Sequence, residues 1–127
     1  MMIQAARNQF REFKKMPATI TPTATFKDNL QQLPSVDGVR RIDLLDEQRA
    51  VVASIENQPG KQGSLAVYQY LDLCFAALDA QAAEHGLDVF GEHTADARNR
   101  PGAHPNVDRL LAIVAGAAPL NIAVIPA

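Results

Sequence analysis

At 127 residues, with 47% apolar and 20% charged side chains, the chain has the size and ordinary globular usage of one domain with its own core. A formal charge of −2 gives no basis for a nucleic-acid or anionic-membrane partner. No run approaches the ~18 apolar residues of a transmembrane helix, and the N-terminus lacks the apolar stretch of a secretory signal.

Charge is unevenly placed. Residues 1–25 carry Arg7, Arg11, Lys14 and Lys15 against Glu12, a net of +3, which leaves −5 for the rest of the chain. Within residues 1–15, Ile3, Ala6, Phe10 and Phe13 have helix-like spacing, so a short amphipathic helix is expected, ended by Pro17. Residues 17–25, PATITPTAT, read as an extended linker. Residues 1–24 are therefore read as a basic extension, first as a solvated one and second as an interacting arm, and 25–127 as one domain.

The body opens with Thr25 and Asp28 in a capping-box arrangement, then Phe26, Leu30 and Leu33 on one helical stripe closed by Pro34. Two short alternating runs follow. Ile42 and Leu44 face one way with Arg41, Asp43 and Leu45 opposite, and Val51, Ala53 and Ile55 alternate with Val52, Ser54 and Glu56. Around the polar turn Asp46-Glu47-Gln48 they predict an antiparallel hairpin. Ser64 is the expected N-cap of a helix carrying Leu65, Tyr68, Leu71 and Phe75, apolar over most of its circumference and so central.

Asp79 is the expected cap of a second helix. Its stripe, Ala83, Leu87, Phe90, Thr94 and Ala97, runs through Gly86 and Gly91 and stops at Arg100-Pro101-Gly102. His104-Pro105-Asn106 opens a third, with Val107, Leu110, Leu111 and Val114 on its apolar face and Gly116 at its end. Leu120, Ile122 and Val124 give a last strand. A hairpin alone is not stable, so the C-terminal strand is expected to join it. The fold class is α+β: a small antiparallel sheet packed against three to four helices.

Two segments can carry chemistry. In the first, Gly60, Lys61, Gly63 and Ser64 lie between a strand and a helix start. There free N–H groups and the helix dipole favour an anion, and glycines let it approach. A nucleotide-hydrolysing P-loop is excluded because its lysine follows the second glycine, and Lys61 precedes Gly63. The second segment, 92–109, gathers His93, Asp96, Arg98, Arg100, His104 and Arg109. His93 and Asp96 lie one helical turn apart, as an acid–base pair would, and with His104 they are conceivable metal ligands. Glu92, Asp96 and Arg100 also suit a salt-bridged solvated face, and an ordinary capped turn suits the loop. No metal motif, cofactor motif or catalytic nucleophile stands out. Lone Cys74, among Leu71, Leu73 and Phe75, reads as a buried structural thiol and fits a reducing compartment, hence the cytoplasm.

The stretches Glu56–Tyr68, Glu92–Arg98 and Pro101–Leu110 resemble a family of small uncharacterised bacterial proteins, a domain of unknown function, over about residues 25–125. The resemblance implies a bacterial, cytoplasmic protein and carries no site with it. The residues themselves favour a non-enzymatic binding or regulatory module. It would hold an anionic small molecule or an acidic partner surface with Gly60, Lys61, Gly63, Ser64, Arg98, Arg100, His104 and Arg109. The alternatives are a small metal- or histidine-dependent enzyme using His93 and His104, and an oligomeric protein whose tail docks on a neighbouring copy.

Overall fold

The structure, a computed structural model, describes residues 19–127, so the helix expected over residues 1–15 lies outside the described residues. The element order is α1 (Phe26–Leu30), β1 (Val39–Leu45), β2 (Val51–Glu56), α2 (Gln62–Cys74), α3 (Ala80–Val89), α4 (Glu92–Asn99), α5 (Pro105–Val114) and β3 (Asn121–Pro126). The sheet is antiparallel in the order β2-β1-β3, with the C-terminal strand paired to the hairpin as expected. With five helices among the described residues, the class is α+β.

The period-two pattern sets the register. Ile42 stands opposite Ile55 and Val124, and Leu44 opposite Ala53 and Ile122. These side chains face the helices, and Ile42 and Leu44 are fully buried. A one-residue slip would turn the whole set to solvent. On the other face Asp43 accepts from Arg41 Nε at 3.0 Å and from Ser54 Oγ at 2.7 Å. The Arg41 guanidinium, then the Ser54 hydroxyl, hold its carboxyl below the usual range. The hairpin lacks Asn-Gly, and Asp46 replaces it: Oδ1 accepts the N–H groups of Gln48 and Ala50, both at 2.9 Å, while Arg49 takes φ +65°.

Helix α2 is buried nearly all round, through Leu65, Val67, Tyr68, Tyr70 and Leu71, and packs against all three strands. Helices α3 and α5 pack together beside it. Asp79 caps α3 as expected, accepting from Ala82 N at 3.0 Å.

Several local expectations are corrected. The single helix expected from Asp79 to Ala97 is two, α3 and α4, divided at Gly91. Its two glycines do opposite things. Gly86 stays helical and serves packing, since a Cβ there would sit 2.9 Å from both Leu71 Cδ1 and Leu110 Cδ1. Gly91 takes φ +59° and ψ −126°, and a Cβ would meet Ala24 O and Phe26 N, each at 2.9 Å. Helix α2 starts two residues before Ser64, at Gln62, with Lys61 in the cap position and no side-chain cap. Thr25 and His104 occupy cap positions without capping through their side chains. Cys74 is half-buried rather than buried, and what burial it has pushes its thiol up.

Residues 20–26 run across α2, α3 and α4 as a strap. Ile20 N donates to Tyr70 Oη at 2.8 Å, and Phe26 N to Glu92 Oε1 at 2.8 Å. Fully buried Asn29 ties the strap down. Its Oδ1 accepts from Thr23 N at 2.7 Å, and its Nδ2 donates to Thr23 O at 3.0 Å and Val89 O at 2.9 Å.

Candidate functional site

The β2–α2 loop is a built turn. Gln58 C=O accepts from Lys61 N at 2.9 Å, with Pro59 and Gly60 at the turn centre and Gly60 at φ +86°. That is type II chemistry. Asn57 anchors it, donating Nδ2 to Val39 O at 2.7 Å and accepting from Gln62 Nε2 at 2.9 Å. Gly63 has a packing reason as well as an anion-approach reason: a Cβ there would meet the Phe26 ring at 3.0 Å. The first N–H groups of α2 have no intrahelical acceptor.

This loop opens onto a cleft of about 470 Å³. Gly60, Lys61, Gly63 and Ser64 line it from the loop, and His104, Asn106 and Arg109 from the start of α5. His93 of α4, Phe26 of α1 and Phe90 of the α3–α4 corner complete the wall. Of the eight residues marked in the sequence as an anion site, six thus come together. The other two do not. Arg98 lines a separate depression with Pro22 and Glu92, and Arg100 is exposed and pairs with Asp96.

Arg109 is held in place. Its Nη1 donates to Asn106 Oδ1 at 2.9 Å and to Tyr68 Oη at 3.1 Å, and its Cζ lies 5.7 Å from the Tyr68 ring centre. Tyr68 Oη in turn donates to the Asn106 carbonyl at 2.6 Å. Burial pushes the Tyr68 hydroxyl up to about 12, so it remains a donor at neutral pH. Among the described residues, the partners of this guanidinium are neutral and no Asp or Glu lines the cleft. A fixed cation without a carboxylate beside it leaves uncompensated positive charge at the cleft wall.

The histidines also converge. His93 and His104 have ring centres 5.3 Å apart. His104 Nε2 lies 2.6 Å from Asp96 Oδ2, and because the carboxylate only accepts, this nitrogen carries the proton. Asp96 is also gripped by Arg100, through Nε at 2.9 Å and through Nη2. Arg100 first, and His104 second, hold the Asp96 carboxyl well below the usual carboxylate range. Among the described residues, no group of three His, Cys, Asp or Glu is placed to hold a metal ion, His93, Asp96 and His104 included. None of the helices there is long and apolar enough to cross a membrane.

The residues missed in the sequence are Phe26, Phe90, Asn106 and Tyr68. Phe26, Phe90 and Tyr68 sit on helical stripes and carry only a core signal. Asn106 has a signal, since it stands three residues before Arg109 on a helix, where side chains meet.

A family model described as an uncharacterized protein conserved in bacteria (DUF2322) matches residues 26–124. No curated protein and no solved structure matches the chain.

Proposed function

For this chain, which belongs to the bacterial DUF2322 family of uncharacterised proteins, we propose a role as a small cytoplasmic binding module that holds an anionic small molecule in the α2–α5 cleft. The observation that carries the reading is Arg109, fixed by Tyr68 and Asn106 with no carboxylate beside it among the described residues. Lys61 adds a second positive charge at the rim, and the first turn of α2 adds N–H donors and the positive end of its dipole. Arg98 and Arg100 have no part in it.

Thermal-shift measurements with inorganic phosphate, phosphate monoesters and simple carboxylates test the role. A ligand at ten times its Kd adds about 1.4 kcal/mol, worth roughly 6 °C in a domain of this size. Lys61 is exposed, so Lys61→Ala leaves the ligand-free Tm unchanged and reduces the ligand-induced rise. If no anion raises the wild-type Tm more than that of Lys61→Ala, the role is refuted.

A second reading rests on a separate observation, the Asp96–His104 hydrogen bond with His93 nearby. A carboxylate-oriented imidazole at a cleft wall is suited to general acid–base work on the bound anion. A screen of phosphate and acyl esters, with His104→Gln as control, decides it. Turnover lost in the variant supports a histidine-dependent enzyme, and no turnover in wild type rejects it.

A further inference from the structure

The cleft is too large for a bare anion. Its volume of about 470 Å³ falls in the ~300–1,000 Å³ range of sites for whole organic molecules. Beyond its cations it holds a continuous run of four rings. Phe90 stacks on Phe26 with centres 5.3 Å apart and planes 29° apart. Phe26 meets His93 edge-on at 5.0 Å and 79°, and His93 meets His104 at 5.3 Å and 48°. All four line the cleft, with Ile55 and Val107 as further apolar lining.

Ring position is enforced from several sides. The backbone of Phe26 is held by Glu92, its ring lies over Gly63, and His104 is oriented by Asp96. Three of these rings come from α1, the α3–α4 corner and the first turn of α4, and Gly91 leaves room for the strap to pass against the corner. Rings packed on one another at these separations form one fixed aromatic wall, and a planar ligand would meet the edges and faces they turn to the cleft.

We propose that the ligand is a small planar anion: an aromatic or heteroaromatic ring bearing one phosphate or carboxylate group. The ring rests among Phe26, His93 and His104, and the anionic group meets Arg109, Lys61 and the first N–H groups of α2. The inference rests on the anion-binding role above and adds the chemistry of the rest of the ligand. The ring contacts make such a molecule about tenfold tighter than its ringless counterpart.

Calorimetric titration of the full chain tests this with inorganic phosphate, phenyl phosphate, cyclohexyl phosphate, acetate and benzoate. Phenyl phosphate tighter than both inorganic and cyclohexyl phosphate, or benzoate tighter than acetate, by about tenfold is the expected result. Which pair shows it tells phosphate from carboxylate. Phe26→Leu keeps the apolar bulk, removes one of the rings the ligand meets, and is expected to shrink the ratio of ring-bearing to ringless affinity. Ring-bearing and ringless anions of equal affinity overturn the planar ligand and leave the anion site standing, as does cyclohexyl phosphate matching phenyl phosphate with benzoate no tighter than acetate. No binding by any of the five overturns both. The wild-type ratios decide the matter even if Phe26→Leu does not fold.

Discussion

Replacing Gly91 by alanine tests how the two halves of the helical layer are joined. At φ +59° and ψ −126° the residue occupies a region open essentially to glycine alone, and a side chain held there costs about 1–3 kcal/mol. The added Cβ would also lie 2.9 Å from Ala24 O and Phe26 N, which are backbone atoms that no rotamer change can move. Forcing the strap outward costs about another 1–3 kcal/mol, by analogy with overpacked cores. The expected loss is about 4 kcal/mol, a large share of a total near 5–15 kcal/mol. Urea unfolding followed by circular dichroism would show a midpoint lower by about 2 M. Gly38→Ala is the control, because Gly38 has φ +84° and open space around it, so strain alone applies, about 1 kcal/mol. If the two variants lose stability within about 0.5 kcal/mol of each other, the argument from backbone contact is refuted.

Asn29→Ala leaves Val89 C=O without its partner in a buried place and Thr23 N–H without its partner in a partly buried one, so a loss of about 2 kcal/mol in urea unfolding is expected, and a loss below 1 would contradict the strap's attachment. Asp79→Ala removes the α3 cap and is expected to cost about 1 kcal/mol by the same measurement. Asp96 has its folded pKa lowered, so its contribution is present above the unfolded value of about 3.9 and is lost as pH falls through the folded one. The Tm gap between wild type and Asp96→Asn should therefore close as pH falls below about 4. A gap that widens in that acid range has the wrong sign for this account.

Where one physical rule governs a segment, the amino-acid pattern discloses it. Alternation at Ile42, Leu44, Ala53 and Ile55 is such a case, and so is the Asp79 cap, because each depends on neighbours within a few residues. Gly91 is different. Its conformation is selected by Ala24 and Phe26, far away in sequence, and the stripe through Phe90 and Thr94 runs across it without interruption. Fully buried Asn29 looks from the sequence like an ordinary polar helix residue, since its acceptor on Val89 is 60 residues off. The cleft follows the same division. Gly60 to Ser64 announce a helix start locally, and Arg109 announces charge. Which arginines converge is decided by tertiary placement: Arg100 is taken by Asp96 one turn away, Arg98 faces elsewhere, and Arg109 is left to neutral partners.

The strap also bears on the order of assembly. Its bonds join residues 50 to 66 positions apart, Ile20 to Tyr70 and Phe26 to Glu92, and span loops closed at high entropic cost. Such contacts belong late in folding, after the hairpin and the helices that receive them. Phe26 arrives with the strap, so the aromatic wall of the cleft is its last part to be completed. Contacts made after the rate-limiting step act on unfolding and leave the folding rate nearly untouched. A ligand gripped by Phe26 should thus work as a brake on opening, visible in stopped-flow as a slower unfolding limb with an unchanged folding limb.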